Sequence, residues 1–213
     1  LRDPEHWRDG ASSRRIAVVR RGDDAVGYVA YRQKEKWEGG VPAGTVMVIE
    51  VITVDDDARR SLWDYLAHID LFPTVEWWNA PMDYPLSLEV DFDRRITRKP
   101  GDALWLNLLD IPAALSARTY ESDGSMAIGI TDAFLGRAGS YRLTIEGGRG
   151  ECEPTDDAPD LTLSVRDLSA MYLGLPSAMT RWHAGRIEGP ESAVRLIDRL
   201  LRTSSAPFCN EVF

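Results

Sequence analysis

The sequence predicts an α+β protein built as two successive units. Three observations carry this. Short β-rich runs precede one amphipathic helix in the first third of the chain; residues 91–101 (DFDRRITRKPG) form a polar stretch ending in Pro-Gly; and beyond it a second group of strands comes before a group of helices. That break places the first unit at residues 1–102 and the second at residues 103–213.

In the first unit, residues 15–20 (RIAVVR) and 26–32 (VGYVAYR) read as a hairpin turned by Gly22-Asp23-Asp24. Residues 45–54 (TVMVIEVITV) form a long β-branched run with Glu50 at its middle. Asp55-Asp56-Asp57 supplies capping chemistry, and residues 58–69 follow as a helix with Leu62, Tyr65, Leu66 and Ile69 on its apolar face. Residues 75–78 are a further strand, closed by Asn79-Ala80-Pro81. In the second unit, residues 103–109 read as a strand and residues 111–118 as a short helix with Pro112 in its first turn. Residues 126–131, 140–145, 150–154 and 161–165 alternate as strands between Gly-rich turns. Helices then cover residues 167–173, 177–185 and 190–201, with Ser177 as a cap and Gly174 and Gly185 as stops.

The chain has 213 residues, 34 acidic against 25 basic, for a net charge of −9. That balance disfavours a uniformly basic nucleic-acid binder and suits a cationic small molecule. No apolar run reaches the ~18 residues that a membrane-spanning helix needs. Two Cys and three His leave little room for a metal site, so none is expected. So few cysteines point to a reducing cytoplasm, with Cys152 and Cys209 free. The chain opens Leu1-Arg2-Asp3-Pro4 without an initiator Met, which reads as a piece of a longer protein.

No complete catalytic motif is present: no G-x-S-x-G, no G-x-x-x-x-G-K-(S/T), no H-E-x-x-H. His6, His68 and His183 are far apart, and each reads as an ordinary structural or surface residue.

The long strand and helix of residues 45–69 have the shape of an acyl-CoA N-acetyltransferase core of the GNAT type. In that superfamily the strand-to-helix junction reads (Q/R)-x-x-G-x-(G/A), and its glycines let backbone N–H groups approach a pyrophosphate. Here the junction is Asp55-Asp56-Asp57-Ala58-Arg59-Arg60-Ser61-Leu62, without glycine and with three carboxylates where a polyanion would sit. The GNAT resemblance is therefore to a degenerate copy, and no coenzyme A is expected on this chain.

Five landmarks resemble a more specific group. Residues 1–7 (LRDPEHW), residues 103–118 (ALWLNLLDIPAALSAR, similar to "GLWLR…VPAALEAR"), residues 150–155 (GECEPT, similar to "ARCTPT"), residues 168–174 (LSAMYLG, similar to "LGSLYLG") and the terminal Phe occur in the order found in the Eis (enhanced intracellular survival) family. That family comprises aminoglycoside and polyamine N-acetyltransferases. The resemblance implies a central degenerate GNAT-like domain at residues 1–102 and a sterol-carrier-protein-2-like domain at residues 103–213. It places the acetyl-CoA site on an N-terminal catalytic domain outside this sequence.

The resemblance also implies site residues. The α-carboxylate of Phe213 matches the family's terminal general base, and at neutral pH such a group is charged. Trp7 matches a pocket-wall Trp whose face attracts an aminium group. Asp102 matches a pocket acid. The family's penultimate Glu is Val212 here, with Glu211 one place earlier as the candidate second acidic contact. By residue type alone, Phe213 is a packed or frayed tail, Trp7 a core residue and Asp102 a turn residue. The partners implied are an amine substrate, the catalytic domain and further copies in a hexamer, with no nucleic acid or membrane. The other function class left open is binding of a lipid or other apolar ligand, as in sterol carriers, which an apolar cavity of several hundred Å³ would mark.

Overall fold

The computed structural model describes residues 3–210. The chain divides into two compact units, Leu1–Ala80 and Pro81–Phe213.

Unit 1 contains β1 (Arg15–Arg21), β2 (Asp24–Lys34), β3 (Trp37–Glu38), β4 (Val41–Pro42), β5 (Thr45–Thr53), α1 (Asp56–Ala67) and β6 (Thr74–Trp77). A four-stranded sheet runs β1-β2-β5-β6; its first two pairings are antiparallel and β5–β6 is parallel. Gly22, at φ 63°, makes the tight turn between β1 and β2. Helix α1 is the crossover that the parallel pair requires. The Asp55 carboxylate accepts the Ala58 N–H at 2.9 Å and starts it. Leu62 and Leu66, one turn apart, bury against Val29 and Tyr31 of β2 and Val46 and Val48 of β5. Tyr65 is 44% exposed, and only its hydroxyl reaches inward, to the Tyr31 hydroxyl at 2.6 Å. The small β3–β4 hairpin, turned by Gly39-Gly40, has strands of two residues, too short for a periodic signal.

The register of β2 against β5 breaks in the middle. Ala30 faces Glu50 and Tyr31 faces Val48, so Ile49 is an extra residue, a β-bulge. The bulge inverts the phase of β5: Val46 and Val48 face α1, and Val51 packs against the same core three residues on. The pairing of β5 with β6 runs from Thr45 to Val48 and ends at the bulge.

Unit 2 contains α2 (Leu86–Glu89), α3 (Ile111–Ala117), β7 (Gly124–Thr131), β8 (Gly139–Glu146), β9 (Arg149–Pro154), β10 (Leu161–Ser164), α4 (Val165–Met171), α5 (Ala178–His183), β11 (Ile187–Glu188) and α6 (Glu191–Leu201). Its sheet runs β11-β10-β7-β8-β9, antiparallel except for β10 beside β7. Asp110, Ser164 and Ser177 cap α3, α4 and α5 with their side chains. Val194, Ile197 and Leu201 recur at helical spacing along α6 and join Ile128, Leu143, Leu163 and Leu168 in one continuous core. Gly174, at φ 98°, stops the turn after α4, and a Cβ there would sit 2.1 Å from Thr203 Oγ1.

The strand expected at residues 103–109 does not form. These residues have no regular structure, and Trp105 is 83% exposed. Leu108 is buried, but its N–H donates to the Ser169 hydroxyl at 3.0 Å and its carbonyl accepts from Arg137. Side chains satisfy this backbone, where a strand would need a neighbouring strand. The segment between residues 91 and 101 holds only a 3-10 turn at Asp93–Arg95.

Asp167 is the most committed polar group of unit 2. Its carboxylate is 3% exposed and accepts from Arg186 Nε at 2.7 Å and Nη2 at 3.0 Å, from Arg181 and from Ser164 Oγ. Burial alone would raise its pKa, but the hydrogen bonds from Arg186, Ser164 and Arg181 outweigh burial and hold it below the ordinary value. The contribution of this carboxylate to stability is therefore present above about pH 4 and is lost as pH falls through the depressed folded value. Asp167→Ala is expected to cost about 3–5 kcal/mol in chemical denaturation, since it strands two cations. Asp167→Asn should cost less and should flatten the stability profile between pH 5 and the acid limit; an unchanged profile would show that the cluster adds nothing. Ile197→Ala, a core truncation at 0% exposure, is expected to cost about 2–5 kcal/mol by the same measurement.

Candidate functional site

Strand β5 delivers the chain to the first turn of α1, where the superfamily resemblance places the cofactor phosphates. Here the chain fills the position itself. One Asp55 oxygen takes the Ala58 N–H, and the other accepts from Arg21 Nη1 at 2.9 Å. The Ala58 N–H, then the Arg21 guanidinium, hold the Asp55 carboxyl below its usual pKa. Asp56 pairs with Arg59 at 3.1 Å and Asp57 with Arg60 at 3.0 Å. Three carboxylates are thus matched by three guanidinium groups, which corrects the expectation of a net repulsive cluster. The occupied first-turn N–H and the absence of glycine between Val54 and Leu62 set this junction apart from the superfamily's glycine-bearing one. The residues of this junction do not fit the coenzyme's phosphates. Neither Arg21 nor its pairing with Asp55 carries a sequence signal, because the two are 34 residues apart.

Trp7 lies in a 3-10 turn, Glu5–Trp7, and is 64% exposed, with its ring edge-on to His6 at 5.8 Å between centroids. It is therefore not the core residue that residue type alone suggests. Asp3 anchors this turn: its carboxylate accepts from Arg32 Nη2 at 2.5 Å and from the Arg14 N–H at 2.9 Å. The Arg32 hydrogen bond, followed by the Arg14 N–H, lowers the Asp3 pKa to about 2. Asp3 was not singled out from sequence, since its partner sits 29 residues away on β2.

A second polar pair occupies unit 1. Tyr28 donates to Glu50 Oε2 at 2.5 Å, which raises the tyrosine pKa. Strand alternation sets both on the sheet face away from α1, and Glu50 follows the bulge directly.

Asp102 lies in unit 2, exposed, in a segment without regular structure. Glu211 and Phe213 lie outside the described residues. Cys152 is buried, and burial pushes its thiol up to about 11; Cys209 is half-buried, and the two are not joined in a disulfide. Among the described residues no helix is long and apolar enough to cross a membrane, and no three His, Cys, Asp or Glu cluster as metal ligands.

Comparison with known proteins supplies the context for this geometry. Residues 111–210 match the sterol carrier protein domain family. An N-acetyltransferase of Streptomyces avermitilis, described as uncharacterized, is 39% identical over 186 residues, covering 87% of this chain and 46% of that protein. The N-acetyltransferase Eis of Mycobacterium tuberculosis is 31% identical over 168 residues, covering 78% of this chain and 39% of that protein. The crystal structure of Eis1 from Mycobacterium abscessus superposes with a TM-score of 0.73 at 29% identity, over 89% of this chain and 50% of that one. A GCN5-related N-acetyltransferase from Anabaena variabilis gives a TM-score of 0.78 at 18% identity, over 96% of this chain and 52% of that one, a likeness of fold alone. The chain thus spans about half the length of the curated relatives it matches. Residues 1–107 match the acetyltransferase (GNAT) domain family, half of the sequence, and the chain belongs to that family, with a sterol carrier protein domain following.

Proposed function

We propose that this chain is the part of an acetyl-CoA-dependent amine N-acetyltransferase that frames the amine pocket, and not the part that holds the cofactor. The observation that carries the reading is the closed start of α1, where Asp55 takes the N–H group that a pyrophosphate would need. In this reading the protein works in the cytoplasm on aminoglycosides, polyamines or lysine-like amines, in company with a catalytic domain and further copies of itself. The net charge of −9 suits such cations. Trp7 offers an exposed aromatic face to an aminium group, Asp102 and Glu211 offer carboxylates, and the Phe213 α-carboxylate is the base.

The apolar-ligand reading draws less support. Val194, Ile197, Leu168 and Leu143 of unit 2 are each at 0% exposure within one packed core, so side chains fill the space that a lipid would take. A second reading, in which this GNAT domain itself takes acetyl-CoA, draws support from the end of the β5–β6 pairing at Val48. Beyond it, one edge of β5 is open to the amide groups of an extended ligand.

Titration calorimetry of the 213-residue chain with acetyl-CoA separates the two. No heat of binding is expected, and a micromolar site would overturn the proposal in favour of the second reading. In the longer enzyme, one residue added after Phe213 is expected to lower kcat by about 10²–10⁴ and to spare acetyl-CoA binding, because proton transfer needs hydrogen-bond reach. Unchanged kcat would remove Phe213 from the site.

A further inference from the structure

Unit 2 contains a cavity of about 240 Å³ that no part of the amine-acetyltransferase reading uses. Helix α6 and the residue just past it line one wall with Arg195, Arg199 and Arg202. The spacing of four and then three residues puts all three guanidinium groups on one helix face. The loop before β7 contributes Glu121 and Ser122, and α5 contributes the half-buried Met179.

The partners of these groups are unevenly distributed. Glu121 accepts the Ser204 N–H at 2.7 Å. Asp198, the other carboxylate in the lining, accepts from Ser177 Oγ at 2.6 Å, the Ala178 N–H at 2.7 Å and Arg202 Nη2 at 2.6 Å. Both acids are thus turned to donors of the protein. Arg195 gives Nε and Nη2 to Glu191 and keeps the N–H groups of Nη1; Arg202 keeps those of Nε and Nη1. Arg199 makes no hydrogen bond or ion pair among the described residues, and neither does the half-buried Ser122 hydroxyl. Glu191 and Asp198, on the same helix, balance Arg195 and Arg202, so Arg199 carries the uncompensated charge of this face.

We propose that this cavity binds a small molecule carrying a phosphate monoester. The dianion is held by Arg199 and by the remaining N–H groups of Arg195 and Arg202, the Ser122 hydroxyl donates to a phosphate oxygen, and the carbon portion rests on Met179. A phosphate offers two charges on three oxygens to guanidinium forks, where a carboxylate offers one charge on two. The volume exceeds what a bare phosphate ion fills, which leaves room for the esterified group.

The test is calorimetric titration of the 213-residue chain with glycerol phosphate and with inorganic phosphate at fixed ionic strength, and with succinate in parallel. One saturable site per chain is expected for the phosphates, with succinate at least tenfold weaker. Arg199→Ala should weaken glycerol phosphate at least tenfold, Arg199→Lys should recover part of the loss, and Ser122→Ala should weaken it less. Arg199 is exposed, so these changes leave the core intact, which a melting curve checks. Arg166→Ala, an exposed cation of α4 outside the cavity, should bind as the unaltered chain does. Absence of saturable phosphate binding, unaltered affinity in Arg199→Ala, equal loss in Arg166→Ala, or succinate binding as tightly as glycerol phosphate would each overturn the proposal.

Discussion

A carboxylate buried to 3% exposure has to be paired, and in unit 2 the pairing of Asp167 dictates where four elements lie. It sits in the first turn of α4, beside the Ser164 cap that ends β10, and it draws Arg181 from α5 and Arg186 from the approach to β11. One turn of helix thereby fixes the junction of a strand, two helices and an edge strand. The same helix presents Ser169, whose hydroxyl takes the Leu108 N–H and donates to the Val165 carbonyl at 2.7 Å. The irregular approach to α3 is held to the unit through that hydroxyl and through Arg137.

Unit 1 depends on a different constraint. A strand that changes phase cannot bury one continuous row of side chains. The extra residue at Ile49 lets β5 present Val46 and Val48, and then Val51, to a single helix. It also sets Glu50 on the opposite face, within reach of Tyr28.

Most of the architecture was legible because it rests on local patterns. The hairpin of β1 and β2, the long β5, the helix after the triple Asp and the run from β7 to α6 follow period-two and period-3.6 patterns with caps at their ends. The strand expected at residues 103–109 shows the limit. Its apolar run ALWLNLL suits a strand, but among the described residues no neighbouring strand completes the ladder, and composition cannot reveal that. The site was less legible, for the same physical reason. Ala58 and Asp55 are three residues apart, and the cap was readable. The guanidinium partners of Asp55, Asp3 and Asp167 come from 34, 29 and 14 to 19 residues away, distances over which sequence carries no pairing signal. Of the arginines that match the acids at residues 55–57, Arg59 and Arg60 stand three residues from their partners, and Arg21 alone is distant. Trp7 was misjudged by residue type for a related reason: an anchored turn holds it in solvent.

The self-supplied cap of α1 also has a thermodynamic meaning. A protein that binds a ligand only when folded gains stability with ligand concentration, by RT ln(1 + [L]/Kd). Where a ligand's phosphates nucleate the start of a helix, the fold therefore rises and falls in stability with the metabolic state of the cell. Asp55 replaces that variable anion with a tethered one, at an effective concentration set by a three-residue link and independent of any pool. The first turn of α1 is in consequence as secure in a starved cell as in a fed one.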